Sequence, residues 1–277
     1  MNSSIPNQYD AENARLLAAV AAAAYQPQAE FGDWKTTVVA CKATDTRALI
    51  ACDGGDCVAA FRGTQDLRNW LTDLDCAFTR LGNLRVHRGF FEALESVRKD
   101  LEAEIAGTHY ERLWLTGHSL GGALAMLCAR FWDGAVEGVY TFGQPRAGDA
   151  AFRDEYNNRL RDRTFRVIHA DDIVPRVPWL LGAYRHAGHE IYFPSPSGRG
   201  IKGEGGSSPS ASGIEGEGGW LQDCGLLSKL PSDLWNAARE LRRGKLALLD
   251  DHHISRYLAL FPGRPERQEV PSSFLTR

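Results

Sequence analysis

The 277-residue chain carries 32 basic and 35 acidic side chains, a formal net charge of -3, with 43% hydrophobic and 24% charged residues. That composition is globular and excludes a collagenous or wholly disordered chain. The slight negative charge leaves no general positive field for nucleic acid or anionic lipid, so any affinity for lipid must be apolar.

At this length, one large domain with a buried sheet is expected over 1–277. The first apolar run, 16–25, is Ala-rich and far too short to span a bilayer. Asp10 and Glu12 precede it, where a secretory leader carries a basic cluster, so it reads as an amphipathic helix over 10–25. With no recognisable signal peptide, a cytoplasmic location is favoured, with non-classical export as the alternative.

Three strand-like runs follow at 36–41, 47–52 and 57–61, rich in apolar and β-branched residues and bounded by turn formers. They predict an antiparallel opening. The turn Asp53-Gly54-Gly55-Asp56 is flanked by Cys52 and Cys57. The six cysteines (41, 52, 57, 76, 128 and 224) show no metal-type CxxC pairing and read as reduced thiols. A hairpin could bring Cys52 and Cys57 face to face, and a bond there would imply an oxidising compartment; free thiols are nevertheless expected.

Over 66–78, Leu67, Trp70, Leu71, Leu74 and Phe78 share one helical face while Asp66, Arg68, Asp73 and Asp75 fall largely elsewhere. The spacing predicts a short amphipathic helix, either movable or docked permanently on the core. Beyond it, a helix over 90–105, a strand at 113–116, a helix over 120–131, a strand at 136–142, a helix over 148–160 and a strand at 165–169 alternate. Such alternation indicates βαβ units and a parallel sheet, hence an α/β fold. Residues 195–219 are dominated by Gly, Ser, Pro, Glu and Lys and predict a disordered surface insertion within the domain.

The strongest chemical signal is Gly117-His118-Ser119-Leu120-Gly121, a GxSxG pattern between an apolar strand and an apolar helix. In a nucleophile elbow the serine occupies a strained strand-to-helix turn, and the residues two before and two after it must be small. The turn sets Ser119 at a helix N-terminus, where the Leu120 amide is the natural donor to an oxyanion. Thr64, between a strand and a helical segment, offers a second amide, a role compatible with capping the next helix. His118, inside the tight turn, reads as a packed or hydrogen-bonded neighbour rather than the base.

Several further segments, in order, resemble the fungal-type (class 3) lipase family of the α/β-hydrolases. Phe61-Arg62-Gly63-Thr64 with Arg68-Asn69-Trp70 and Asp73-Leu74 looks like its oxyanion loop and lid. Val86-His87-Arg88-Gly89-Phe90 resembles the segment before its first long helix, and Thr141-Phe142-Gly143-Gln144-Pro145-Arg146-Ala147-Gly148 the block after its nucleophile helix. Asp171-Asp172-Ile173-Val174-Pro175 is similar to its acid motif and singles out Asp172. Asp251-His252-His253-Ile254-Ser255-Arg256-Tyr257 is similar to its histidine motif and favours His252, with His253 as the alternative. The insertion at 195–219 departs from the family pattern.

The resemblance implies an α/β-hydrolase fold and a serine ester hydrolase, foremost a lipase cleaving acylglycerols. Ser119 would be nucleophile, His252 base and Asp172 its orienting acid, with Thr64 and Leu120 as the oxyanion hole. The 66–78 helix would be a lid over an apolar acyl groove, with transient contact to a lipid–water interface. Phospholipase A1, monoacylglycerol lipase and feruloyl-type or small-ester esterase use the same machinery. A serine peptidase is chemically possible, and an inactive α/β-hydrolase scaffold is the reading from another class. His87, His186 and His189 are expected to be structural, and neither a metal nor a cofactor is expected.

Overall fold

The computed structural model describes residues 9–67, 77–169, 172–178, 183–194 and 252–261. The insertion at 195–219 and the lid residues Trp70, Leu71 and Leu74 lie outside these. The centre is a seven-stranded sheet of β1 (Lys35–Cys41), β2 (Thr46–Cys52), β3 (Asp56–Phe61), β6 (Arg112–His118), β7 (Gly138–Phe142), β8 (Thr164–His169) and β9 (His189–Phe193), in the order β1-β2-β3-β6-β7-β8-β9. β1, β2 and β3 pair antiparallel, and every pairing from β3 onward is parallel. A separate hairpin joins β4 (Phe78–Leu81) to β5 (Leu84–His87).

The central strands are buried on both faces, which is why they read as continuous apolar runs. On one face α1 (Ala11–Ala23) and α5 (Ile254–Ala259) cover Leu49, Ala51, Val58, Ala60, Tyr140, Phe165 and Val167. On the other, α2 (Arg88–Ala106), α3 (Leu120–Phe131) and α4 (Ala150–Leu160) cover Ile50, Ala59, Phe61, Leu115 and Val139. The alternation of the two sets along β2 and β3 follows from the period-two pleat. α1 tolerates burial because seven of its thirteen residues, AENARLLAAVAAA, are alanine, so it packs close to β6. Asp10 caps it by accepting from Asn13 N at 2.9 Å.

Two expectations are corrected. Cys52 and Cys57 are joined as a disulfide rather than free. Asp53 accepts from the amides of Gly55 and Asp56 and closes the turn, and the resulting register sets Cys52 directly opposite Cys57. Phe78 is not on the amphipathic helix; it opens β4 and pairs with His87. Its ring stacks on Tyr184 at 4.3 Å under the Arg85 guanidinium, contacts that outweigh the helical spacing of the apolar residues before it. The sequence reading also passed over β9, a short edge strand whose exposure alternates residue by residue. Among the described residues no helix is long and apolar enough to cross a membrane.

The sheet's position depends on the α2 contact. Leu101, fully buried on α2, is expected on replacement by Ala to lower the unfolding free energy by about 2–5 kcal/mol. Urea denaturation measures it, and a loss under about 1 kcal/mol would contradict this packing.

Candidate active site

Four chain segments leave the carboxyl ends of neighbouring parallel strands at the same edge of the sheet, where crevices in open α/β sheets form. β3 runs into Gly63 and Thr64, β6 into Ser119, β7 into Gly143 and β8 into Asp172.

Ser119 stands between β6 and α3 with φ 59° and ψ -132°. That is the left-handed region for a residue with a Cβ, a strained conformation sustained by what surrounds it. Its amide donates to Phe142 O at 2.9 Å, and its carbonyl accepts from Gly122 N at 3.0 Å. Close approach forces glycine on either side. A Cβ on Gly121 would lie 2.0 Å from the Phe61 carbonyl oxygen, and one on Gly117 2.3 Å from the Gly121 backbone. Leu120 is the first residue of α3, where amides have no intrahelical acceptor. The loop after β3 passes against the serine: a Cβ on Gly63 would be 3.0 Å from that of Ser119, and Thr64 comes next.

Asp172 is 1% and His252 2% exposed. His252 Nδ1 lies 2.7 Å from Asp172 Oδ2. A carboxylate accepts, so Nδ1 carries a proton, and in the neutral ring the lone pair is then on Nε2. The Tyr257 hydroxyl donates to the same Oδ2, and Val174 N donates to Oδ1 at 2.9 Å. Three donors therefore converge on this carboxylate, which orients it and offsets its burial. Gly143, at φ +60°, leaves room for the pair: a Cβ there would come within 2.7 Å of Asp172 Oδ2 and 2.8 Å of His252 Cε1. Arg146, four residues after Phe142, donates to the carbonyls of Arg176 and Pro178 and pins the loop that follows Asp172.

The two adjacent histidines are thereby told apart. His253 points away and caps α5, its Nδ1 accepting from Ser255 N and meeting Ser255 Oγ at 2.8 Å. His252 Nε2 and Ser119 Oγ are both buried without a hydrogen-bond partner among the described residues. His118 bridges the two segments, its ring stacked 4.5 Å from that of His252 and its Nε2 2.6 Å from the His252 carbonyl. An array of this kind can activate a hydroxyl: a buried carboxylate fixes one imidazole nitrogen, the other is without a partner among the described residues, and a serine on a helix N-terminus follows the His118 whose ring stacks on that imidazole.

The remaining expected residues divide. Leu67 is partly buried, while Asp171 and the rest of the proposed lid before residue 77 lie outside the described residues. His87 caps α2 through Phe90 N, His186 meets Pro175 O and His189 meets Asp162, as structural histidines do. Sequence reasoning missed Tyr25, which bonds His118 from the end of α1, and gave Tyr257 no task. Nothing in the sequence around Tyr25 marks it; for Tyr257 the signal was its place in the histidine motif.

The fold is that of an α/β-hydrolase, with Ser119 on the turn after β6 and the Asp172–His252 pair at the ends of other segments. The family described as Lipase (class 3) matches residues 58–181. A secreted mono- and diacylglycerol lipase 1 of Fusarium solani is 33% identical over 160 residues, 54% of this chain and 48% of that protein. A lipase of Rhizomucor miehei is 32% identical over 180 residues, 59% and 48% of the two chains. A solved Rhizomucor miehei triacylglyceride lipase superposes with a TM-score of 0.60 at 26% identity, over 67% of this chain and 80% of that one, and a solved triacylglycerol lipase whose catalytic centre is a serine protease triad superposes with the same values. Over residues 58–181 the chain is thus similar to the class 3 lipase family. It spans about half the length of the curated relatives it matches.

The tight elbow carries an expected outcome. Gly121→Ala is expected to cost about 1–3 kcal/mol of stability, because the displaced atom is a strand carbonyl rather than a flexible side chain. Urea denaturation measures it; an unchanged midpoint would contradict the close approach of α3 to β3.

Proposed function

We propose that the protein is a serine-dependent carboxylic ester hydrolase that cleaves acylglycerols through an acyl-enzyme, as one domain of the α/β-hydrolase type. The observation that carries this reading is the buried His252–Asp172 pair at 2.7 Å, its imidazole stacked on His118, the residue before the strained Ser119. Ser119 Oγ attacks the ester carbonyl while His252 Nε2 removes its proton, and the imidazolium then protonates the departing alcohol. Asp172 holds the imidazole in the required tautomer and stabilises its positive form. The amides of Leu120 and Thr64 stabilise the oxyanion. Water, activated by the same imidazole, releases the acid. Unbonded Ser119 Oγ and His252 Nε2 fit this scheme, since such hydrogen bonds in free enzymes often tighten only with substrate in place.

The mono-, di- and triacylglycerol lipases among the relatives support the choice of substrate. The apolar spacing of Leu67, Trp70, Leu71 and Leu74 supports a short amphipathic cover over the serine that turns its apolar face to a lipid–water interface when displaced. Phe78 anchors the far end of that segment to the β4–β5 hairpin instead of belonging to it.

Ser119→Ala is expected to lower turnover about a thousandfold or more on p-nitrophenyl esters and emulsified triglycerides alike. Full activity in that variant would overturn the mechanism. Wild-type hydrolysis is expected to rise steeply where a short-chain triglyceride passes its solubility limit, and a plain saturation curve through that point would contradict the cover.

A further inference from the structure

Tyr25 and His118 touch the proposed machinery without taking part in its chemistry. His118 is 5% exposed and immediately precedes Ser119, so its backbone belongs to the elbow. Its two ring nitrogens have different partners: Nε2 lies 2.6 Å from the His252 carbonyl oxygen and Nδ1 2.9 Å from the Tyr25 hydroxyl. That hydroxyl also lies 3.1 Å from the amide of Gly63, the residue before Thr64.

One group fixes the direction of every bond in this set. A carbonyl oxygen only accepts, so Nε2 of His118 carries a proton. Burial, with His252 adding to it, holds the His118 imidazole well below its usual pKa, so the ring is neutral and Nδ1 bears a lone pair. Tyr25 must then donate to Nδ1, and burial keeps its hydroxyl protonated by raising its pKa. With its hydrogen committed, the Tyr25 oxygen is left to accept from Gly63 N.

We propose that Tyr25 and His118 are positioning residues, a one-directional relay from the Gly63 amide through the Tyr25 hydroxyl and the His118 ring to the His252 carbonyl. The relay rests on the hydrolase reading, because it sets the spacing of groups to which that reading gives tasks. It ties three backbones together: the loop bearing Thr64, the elbow bearing Ser119 and the segment bearing His252. The third, which opens the six-residue α5, is also held by the bonds of His252 and Tyr257 to Asp172. The neutral ring stacked 4.5 Å from His252 also matters, because a cation there would oppose formation of the imidazolium. Neither side chain touches the reacting atoms, so removing the link disturbs alignment rather than substrate binding.

Two measurements on the full chain test this. In 15N-histidine-labelled wild type, with His118 assigned through its backbone, the ring is expected as the neutral Nε2–H tautomer with Nδ1 accepting a hydrogen bond. In Tyr25→Phe, which keeps the ring and removes the link, kcat on a soluble p-nitrophenyl ester is expected to fall about ten- to a hundredfold with KM within about twofold. The His118 Nδ1 resonance is expected to move towards that of an unbonded nitrogen. An Nδ1–H tautomer in the wild type, or wild-type kcat in a folded Tyr25→Phe, overturns the relay. If that variant does not fold, the wild-type tautomer still decides. Because the tautomer is read without substrate, a wild type that hydrolyses no ester would sink the hydrolase reading and leave the relay's geometry measurable.

Discussion

An imidazole with one nitrogen bound to a buried carboxylate has a single nitrogen left to act, and the fixed ring decides where that nitrogen points. In this protein the His252–Asp172 bond sets that direction, and much of the nearby structure serves to keep it in place. Tyr257 and Val174 hold the carboxylate, Gly143 leaves the space it occupies, and Arg146 pins the loop after it. Breaking one member of such a buried set leaves a polar group without a partner, which costs more than the bond itself contributed. Its parts come from β7, β8 and the start of α5, so the pair exists only when the sheet is complete.

Ser119 shows the converse arrangement, strain in place of satisfaction. Ser119 adopts a backbone conformation that a residue with a side chain avoids, and the packing of α3 against β3 and β6 sustains it. The core and the serine's backbone conformation are therefore linked: the helix that presents the serine is buried through Ala123, Leu124, Ala125, Met126 and Leu127. On the proposed mechanism, this strain places the hydroxyl at a helix N-terminus without chain on either side blocking the approach of an ester.

Elements whose signal is local were legible in the sequence. The elbow has its own grammar of small residues around a serine, and α2 and α3 follow their apolar spacing to within about two residues at either end. Asp172 and His252 were legible only through family motifs, since their neighbouring residues are equally consistent with turn and cap roles. Features created by two distant segments were not. Tyr25 gains its partners only when α1 docks against β6, 93 positions away from His118 in the chain. Phe78 carried a helical period but belongs to a hairpin, because the partner that decides its place, Tyr184, is over a hundred residues further on. For Cys52 and Cys57 the deciding fact was strand register, which a turn sequence suggests but does not determine.

The central claim is that His252, and not its neighbour, activates Ser119. A p-nitrophenyl alkylphosphonate, which traps an activated serine covalently, tests it most directly through the rate and site of labelling followed by mass spectrometry. The account predicts one phosphonyl group per chain on Ser119, labelling slowed about a thousandfold or more in His252→Ala, and a near wild-type rate in His253→Ala. Labelling at another residue, or undiminished labelling of Ser119 in His252→Ala, would contradict it.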